Sequence, residues 1–134
     1  ILFISSPEYV KNKTTASFTE LVDVYPTLCE IANIKAPDYI QGKSLIPVLE
    51  DPTKILKQEV YTRYKEGEAV IDKNYSYTEF FNGETYLGNM LYDIQRDLKQ
   101  NIDISKLPEN DKLVEKYKEK LKMMREKVNI NPFE

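Results

Sequence analysis

A change of hydrophobic period in the second half of the chain constrains the fold more than any other feature. Short β-branched and aromatic runs follow one another: Glu59-Val60-Tyr61-Thr62-Arg63-Tyr64, Glu68-Ala69-Val70-Ile71, Tyr75-Ser76-Tyr77-Thr78-Glu79-Phe80-Phe81 and Met90-Leu91-Tyr92-Asp93. Gly67, Asp72-Lys73-Asn74 and Asn82-Gly83 separate them, so the pattern predicts an antiparallel meander of about four strands. Further on the period changes. Leu113, Tyr117, Leu121, Met124 and Val128 share one helical face, and Pro108 with Asn110 marks the start of that helix. One helix on one face of a small antiparallel sheet is a stable two-layer unit, and the expected class is α+β.

The first half reads differently. Ile1-Leu2-Phe3-Ile4-Ser5 is an apolar run ended by Ser6-Pro7, the pattern of a buried strand in a parallel sheet. It has neither an initiator Met nor a basic leader, so the chain reads as starting inside a core strand. Residues 8–16 are polar and read as a surface loop. Two helix starts then compete. Ser17 and Glu20 have capping-box spacing, but that helix would hold Pro26 in its interior at roughly 3 kcal/mol. Asp23 as N-cap puts Pro26 in the first turn, where its missing N–H is harmless, and is the start expected here. Val24, Leu28, Ile31 and Ala32 would form the apolar face, and Asn33 would stop the helix. Gln41-Gly42-Lys43-Ser44 reads as a turn feeding a short helix over Leu45–Leu49 that ends near Asp51-Pro52. No internal repeat is visible.

The 134 residues are 41% hydrophobic and 31% charged, enough for a modest core under a solvated surface. A net charge of −3 provides no basic field to neutralise a phosphate backbone, so nucleic acid is not an expected partner. No apolar run is long enough for a membrane span. The histidine count is zero, which removes the commonest neutral-pH base and transition-metal ligand. The single Cys29 cannot form an intrachain disulfide.

Three segments, in order, resemble the C-terminal part of sulfatases of the alkaline-phosphatase superfamily. Val22-Asp23-Val24-Tyr25-Pro26-Thr27-Leu28 with Ile31-Ala32-Asn33-Ile34 is similar to "VDLYPTLLELAGI", preceded by Leu2-Phe3-Ile4-Ser5-Ser6-Pro7 in the manner of "PLIISGP". Gln41-Gly42-Lys43-Ser44-Leu45-Ile46-Pro47-Val48-Leu49 is similar to "GxSLxPLL". Glu68–Phe80, then Leu91-Tyr92-Asp93 and Asn101, resembles "AIRTDRYRYTEW…ELYDLxxDPxExxNL", and Tyr77-Thr78-Glu79-Phe80 leans towards the iduronate-2-sulfatase-like branch. The chain departs from the pattern in having Asp72 after Ile71, Leu98 after Asp97, and Asn33 where the family usually has Gly. The resemblance implies that residues 1–56 are the tail end of a sulfatase α/β core, with its last strand and helix, and that residues 57–134 are the C-terminal subdomain.

It also implies a chemistry. In this family a formylglycine, made from Cys or Ser in a C/S-x-P-x-R motif, attacks sulfur. A calcium ion, Lys and His stabilise the charge. Neither Cys29-Glu30-Ile31-Ala32-Asn33 nor Ser5-Ser6-Pro7-Glu8-Tyr9 completes that motif. Cys29 therefore reads as a small buried hydrophobe. No catalytic or metal-binding residue is expected in this chain, which on this reading is inactive alone. Formylglycine and calcium would belong to the full-length parent, whose expected location is periplasmic, secreted or lysosomal.

The expected partners are the remainder of the same sulfatase chain and a sulfated carbohydrate. Arg63, Tyr64 and Lys65 are the candidate substrate-binding residues, because a basic pair beside an aromatic at a strand end suits a sulfated or carboxylated sugar. The bland reading of the same residues is a charged hairpin tip. Tyr61, Tyr64, Tyr75, Tyr77, Tyr86 and Tyr92 suggest a carbohydrate platform, or more simply the half-buried faces of a small sheet. Asn12-Lys13-Thr14 and Asn74-Tyr75-Ser76 match the glycosylation pattern, which has meaning only in a eukaryotic secreted protein. Two other readings stay open: the C-terminal part of a phosphodiesterase or phosphoglycerol transferase, and an independent carbohydrate-binding or interaction module.

Overall fold

The computed structural model describes residues 2–128. The chain divides into two compact units, Ile1–Gln58 and Glu59–Glu134.

In the first unit a single 3-10 turn, Leu21–Asp23, runs into helix α1, Val24–Ile31, and a short helix α2 spans Ile46–Glu50. Asp23 is the N-cap of α1, but its carboxylate makes no cap bond to that helix. It turns back instead to accept the Glu20 N–H at 2.8 Å, closing a capping box over the 3-10 turn. Asn33 stops α1 as expected. It adopts φ +54°, its N–H donates to Glu30 O at 3.0 Å, and the Ile34 N–H donates to Cys29 O at 2.8 Å. Those two bonds form a Schellman cap.

Two expectations for this unit need correction. Residues 2–5 form no strand, and Leu2, Phe3 and Ile4 are exposed, Phe3 by 88%. A strand exists only as part of a ladder, and none of the described strands lies in this unit. The apolar face of α1 is also turned outwards: Leu28 is 57% exposed, and Ile31 and Ala32 are exposed with it. The inward residues are Asp23, Pro26, Thr27 and Cys29. Polar bonding decides this orientation. The Asp23 carboxylate accepts the Lys43 N–H at 2.8 Å and the Lys57 Nζ at 2.7 Å. The Thr27 hydroxyl donates to Asp23 O at 2.6 Å and accepts the Leu45 N–H at 2.9 Å. These bonds hold the segment before α2 against the polar side of α1, with Cys29, Leu45, Ile46 and Val48 buried around them.

The second unit is a meander of β1 (Glu59–Tyr64), β2 (Gly67–Asp72), β3 (Tyr75–Asn82) and β4 (Thr85–Asp93), in the order β1-β2-β3-β4 with every pair antiparallel. Strand β4 starts earlier than the sequence pattern suggests. Phe80 pairs with Gly88 and Phe81 with Tyr86, so Leu87 is one residue too many on β4 and the inside-outside alternation breaks there. A 3-10 turn, Pro108–Asn110, leads into helix α3, Asp111–Val128. Its stripe meets the sheet: Tyr117 and Leu121 are buried with Val70, Tyr77 and Leu91, while Leu113 and Met124 pack at the edge.

The two fully buried tyrosines of this core, Tyr77 and Tyr117, keep their hydroxyls bonded. Tyr117 donates to Asp72 Oδ2 at 2.6 Å, and Lys120 bridges Asp72 (3.0 Å) and Glu59 (2.8 Å). Burial alone would raise the Asp72 carboxyl. Hydrogen bonds from Tyr117, the Asn74 N–H, Lys120 and the Tyr75 N–H outweigh it and hold the group below the ordinary carboxylate range. A depressed carboxylate stabilises the fold above its unfolded pKa, and that stability is lost as pH falls through the folded value. Tyr117→Phe is therefore expected to cost about 1.5–3 kcal/mol near neutral pH, the range for a hydrogen bond to a charged group. The difference should shrink as the pH is lowered through the folded value and Asp72 becomes protonated. Urea midpoints measured across an acid pH series check it, and a pH-independent cost would contradict it.

Candidate functional site

The described residues provide one charged concavity near the sequence-predicted site, at the β1–β2 and β3–β4 tips beside the end of α3. It encloses about 450 Å³ and is lined by Arg63, Lys65, Glu68, Phe81, Glu84 and Arg125 among others. The hairpin geometry separates the three residues chosen from the sequence. Arg63 pairs across the ladder with Glu68, on the face that α3 covers. Tyr64, the next residue along the strand, points to the opposite face and is 75% exposed. Lys65 occupies the tip with φ +51°, and its ammonium lies 5.4 Å from the centre of the Tyr64 ring. Arg63 and Lys65 thus reach the cavity, and Tyr64 does not line it.

Three further residues, unmarked by the local sequence pattern, set the electrostatics. Glu68 and Glu79 are 6% and 4% exposed. Arg125 of α3 bridges them, its Nε donating to Glu68 Oε2 and its Nη2 to Glu79 Oε2 at 3.0 Å. Its guanidinium also stacks 4.9 Å from the centre of the Phe81 ring. The second oxygen of Glu68 faces Arg63 Nε at 3.4 Å. The Tyr77 hydroxyl donates to Glu79 Oε1 at 3.0 Å, and Asn89 donates to Tyr77 at 3.2 Å. Burial pushes the Tyr77 phenol above its usual range, so it stays a neutral donor. The site is therefore a neutralised ion-pair lattice with Arg63 and Lys65 at its rim. Arg125 is 57 residues from Glu68, and helical periodicity marks it only as one more charge on a solvated face.

The residues present do not fit the metal or the nucleophile of sulfate-ester chemistry. Among the described residues no group of three or more His, Cys, Asp or Glu side chains is placed to hold a metal ion. Asp23 and Glu20 sit together, but Lys57 fills the space between them, 2.7 Å from Asp23. Cys29 is a buried residue of α1, without the Pro and Arg that formylglycine formation requires. Among the described residues no helix is long and apolar enough to cross a membrane.

The chain thus consists of a unit with a polar-bonded helix pair and a unit with a four-stranded meander closed by a helix. The family model described as N-sulphoglucosamine sulphohydrolase, C-terminal, matches residues 1–127, and the chain belongs to this family. A Delta 4,5-hexuronate-2-O-sulfatase of Bacteroides thetaiotaomicron is 28% identical over 106 residues, 72% of this chain and 21% of the relative. An arylsulfatase of Clostridium perfringens is 30% identical over 118 residues, 86% of this chain and 23% of the relative. The chain thus spans about a fifth of the length of these relatives. Among solved structures, one bound to its substrate D-glucosamine-2-N,6-O-disulfate superposes with a TM-score of 0.72 at 23% identity, covering 82% of this chain and 24% of that one.

Proposed function

We propose that this chain is the C-terminal part of a longer sulfatase that hydrolyses sulfate esters of sulfated glycans, and that it hydrolyses nothing alone. The family match over residues 1–127 carries the reading. The outward apolar face of α1 supports its second half: Leu21, Tyr25, Leu28 and Ile34 are all more than half exposed. Contiguous apolar surface of this kind is usually covered in the working protein, and the rest of the longer polypeptide is the partner we assign to it. With no histidine, no C/S-x-P-x-R motif and, among the described residues, no placed group of metal ligands, formylglycine and calcium are left to that remainder. A finer reading, an iduronate-2-sulfatase-like ester at a uronic acid, is supported by Tyr77-Thr78-Glu79-Phe80 and by the similarity to a hexuronate-2-O-sulfatase. On this reading Arg63 and Lys65 hold the sulfate or carboxylate of the sugar at the cleft mouth, with Tyr64 steadying Lys65 from the other face.

Sulfate release from 2-O-sulfated uronate and N- or O-sulfated glucosamine saccharides tests the proposal. The full-length enzyme should release sulfate and the 134 residues alone should release none. Arg63→Ala with Lys65→Ala should raise KM roughly five- to ten-fold with kcat nearly unchanged, the signature of lost ground-state binding. Turnover by the isolated chain would overturn the division of labour, and an unchanged KM would remove Arg63 and Lys65 from the site.

A further inference from the structure

We propose that Arg125, near the C-terminal end of α3, is a positioning residue that keeps Arg63 turned towards the cavity by sharing the Glu68 carboxylate with it. The proposal rests on the reading above that Arg63 meets the anionic group of the substrate.

Glu68 begins the argument. Its side chain is 8% exposed, and a carboxylate so buried must be met by donors on both oxygens. Arg125 Nε takes Oε2 and Arg63 Nε approaches Oε1 at 3.4 Å, longer than a strong charge-assisted bond. The two guanidiniums are not equivalent. Arg125 is anchored on three sides, by Glu68, by Glu79 at 3.0 Å and by the Phe81 ring at 4.9 Å, and its side chain is 26% exposed. Glu79 is in turn fixed by the buried Tyr77 hydroxyl at 3.0 Å, so this anchor reaches the core of the sheet. Among the described residues Arg63 has one ion pair; it is 60% exposed and lines the cavity, where most of its five donors are left for a ligand.

Charge balance supplies the mechanism. With Arg125 in place, two buried carboxylates face two guanidiniums, and Arg63 needs only its long contact to Glu68. Without Arg125, Arg63 would be the cation left beside the Glu68 carboxylate. It would be drawn inwards onto Glu68, and its donors would be spent on the protein instead of on a ligand. A change on α3 would thus be felt at the β1–β2 tip although Arg125 is the inner partner of the lattice.

The test is a double-mutant cycle on the full-length enzyme with a sulfated saccharide substrate. Arg125→Met should raise KM roughly three- to five-fold with little change in kcat, the scale of one weakened charge contact. In an Arg63→Ala background the same change should have no further effect on KM. An equal effect with and without Arg63 overturns the proposal, since a purely structural contribution is additive. Leaving Glu68 and Glu79 unbalanced could prevent folding, so Glu79→Gln with Arg125→Gln, which removes one charge of each sign, is the second variant and should raise KM likewise. Arg125→Lys, with charge but no fork, should lie between.

A substrate-free readout separates this proposal from the one it rests on. The Arg63 Nε–H signal in the nitrogen-15 spectrum should exchange more slowly with water in either variant, because Arg63 is pulled in. If Arg63→Ala leaves KM unchanged, the substrate reading fails while slowed exchange still upholds the positioning. Unchanged exchange in both variants overturns it.

Discussion

Asp23→Ala is expected to destabilise the first unit by about 3–5 kcal/mol, the cost of breaking a buried ion pair from one side. Asp23 is wholly buried, and three donors converge on its carboxylate: the Glu20 N–H at 2.8 Å, the Lys43 N–H at 2.8 Å and Lys57 Nζ at 2.7 Å. Alanine leaves two N–H groups without these acceptors. It also leaves Lys57, with a side chain 11% exposed, leaning on Glu20 alone. Burial alone would lower the Lys57 ammonium, but the bonds to Asp23 and Glu20 outweigh it and hold its pKa above the ordinary lysine value. Asp23→Asn should cost less, because one amide oxygen can still serve one N–H while the charge is lost. Urea midpoints would measure the loss, and faster amide exchange at Lys43 would place it. A variant within about 0.5 kcal/mol of the parent, the scale of ordinary surface substitutions, would show the node to be dispensable.

The same residue explains how far the sequence could be read. The second unit was largely legible, because each signal there is local. Runs of period two gave β1 to β4, and the stripe Leu113–Tyr117–Leu121 gave the buried side of α3. Its one misjudged boundary, the start of β4, lies where the extra residue Leu87 breaks the alternation on which strand reading depends. In the first unit the helix start and stop were legible from Asp23, Pro26 and Asn33, but the buried face was not. Periodicity ranks faces by hydrophobicity, whereas Asp23 and Thr27 turn inward because backbone N–H groups of residues 43 and 45 need acceptors. Such long-range polar demand leaves no periodic trace. Arg125 was missed for the same reason: its partners Glu68 and Glu79 are 57 and 46 residues away. Two of the three family-like segments, Val22–Leu28 and Gln41–Leu49, prove to be two sides of one hydrogen-bonded node, so their wording encodes packing.

Gly42 is where that packing is tightest, and Gly42→Ala is expected to cost about 3 kcal/mol or more, at the upper end of overpacking effects. A Cβ built there would lie 1.9 Å from the Val22 carbonyl oxygen, 2.6 Å from its carbon and 3.0 Å from Asp23 N. All three are backbone atoms of the turn that opens α1, so no side chain can swing aside to make room. Relief requires the Gln41–Lys43 segment to retreat, and that movement pulls the Lys43 N–H from Asp23 and strains the Leu45 N–H bond to Thr27. The demand for glycine at this position is close approach and not backbone conformation. Gly83 is the converse: φ is +60° at the β3–β4 tip, and nothing lies within 4 Å of an added Cβ. Gly83→Ala should therefore cost only about 1 kcal/mol, the left-handed penalty of an L-residue. The two alanine variants compared by urea unfolding separate the mechanisms. Equal costs would mean that the contact with Val22 is not what holds Gly42 in place, while a much larger loss at Gly42, coupled to faster exchange at Lys43 and Leu45, would tie the node to the contact of two backbones.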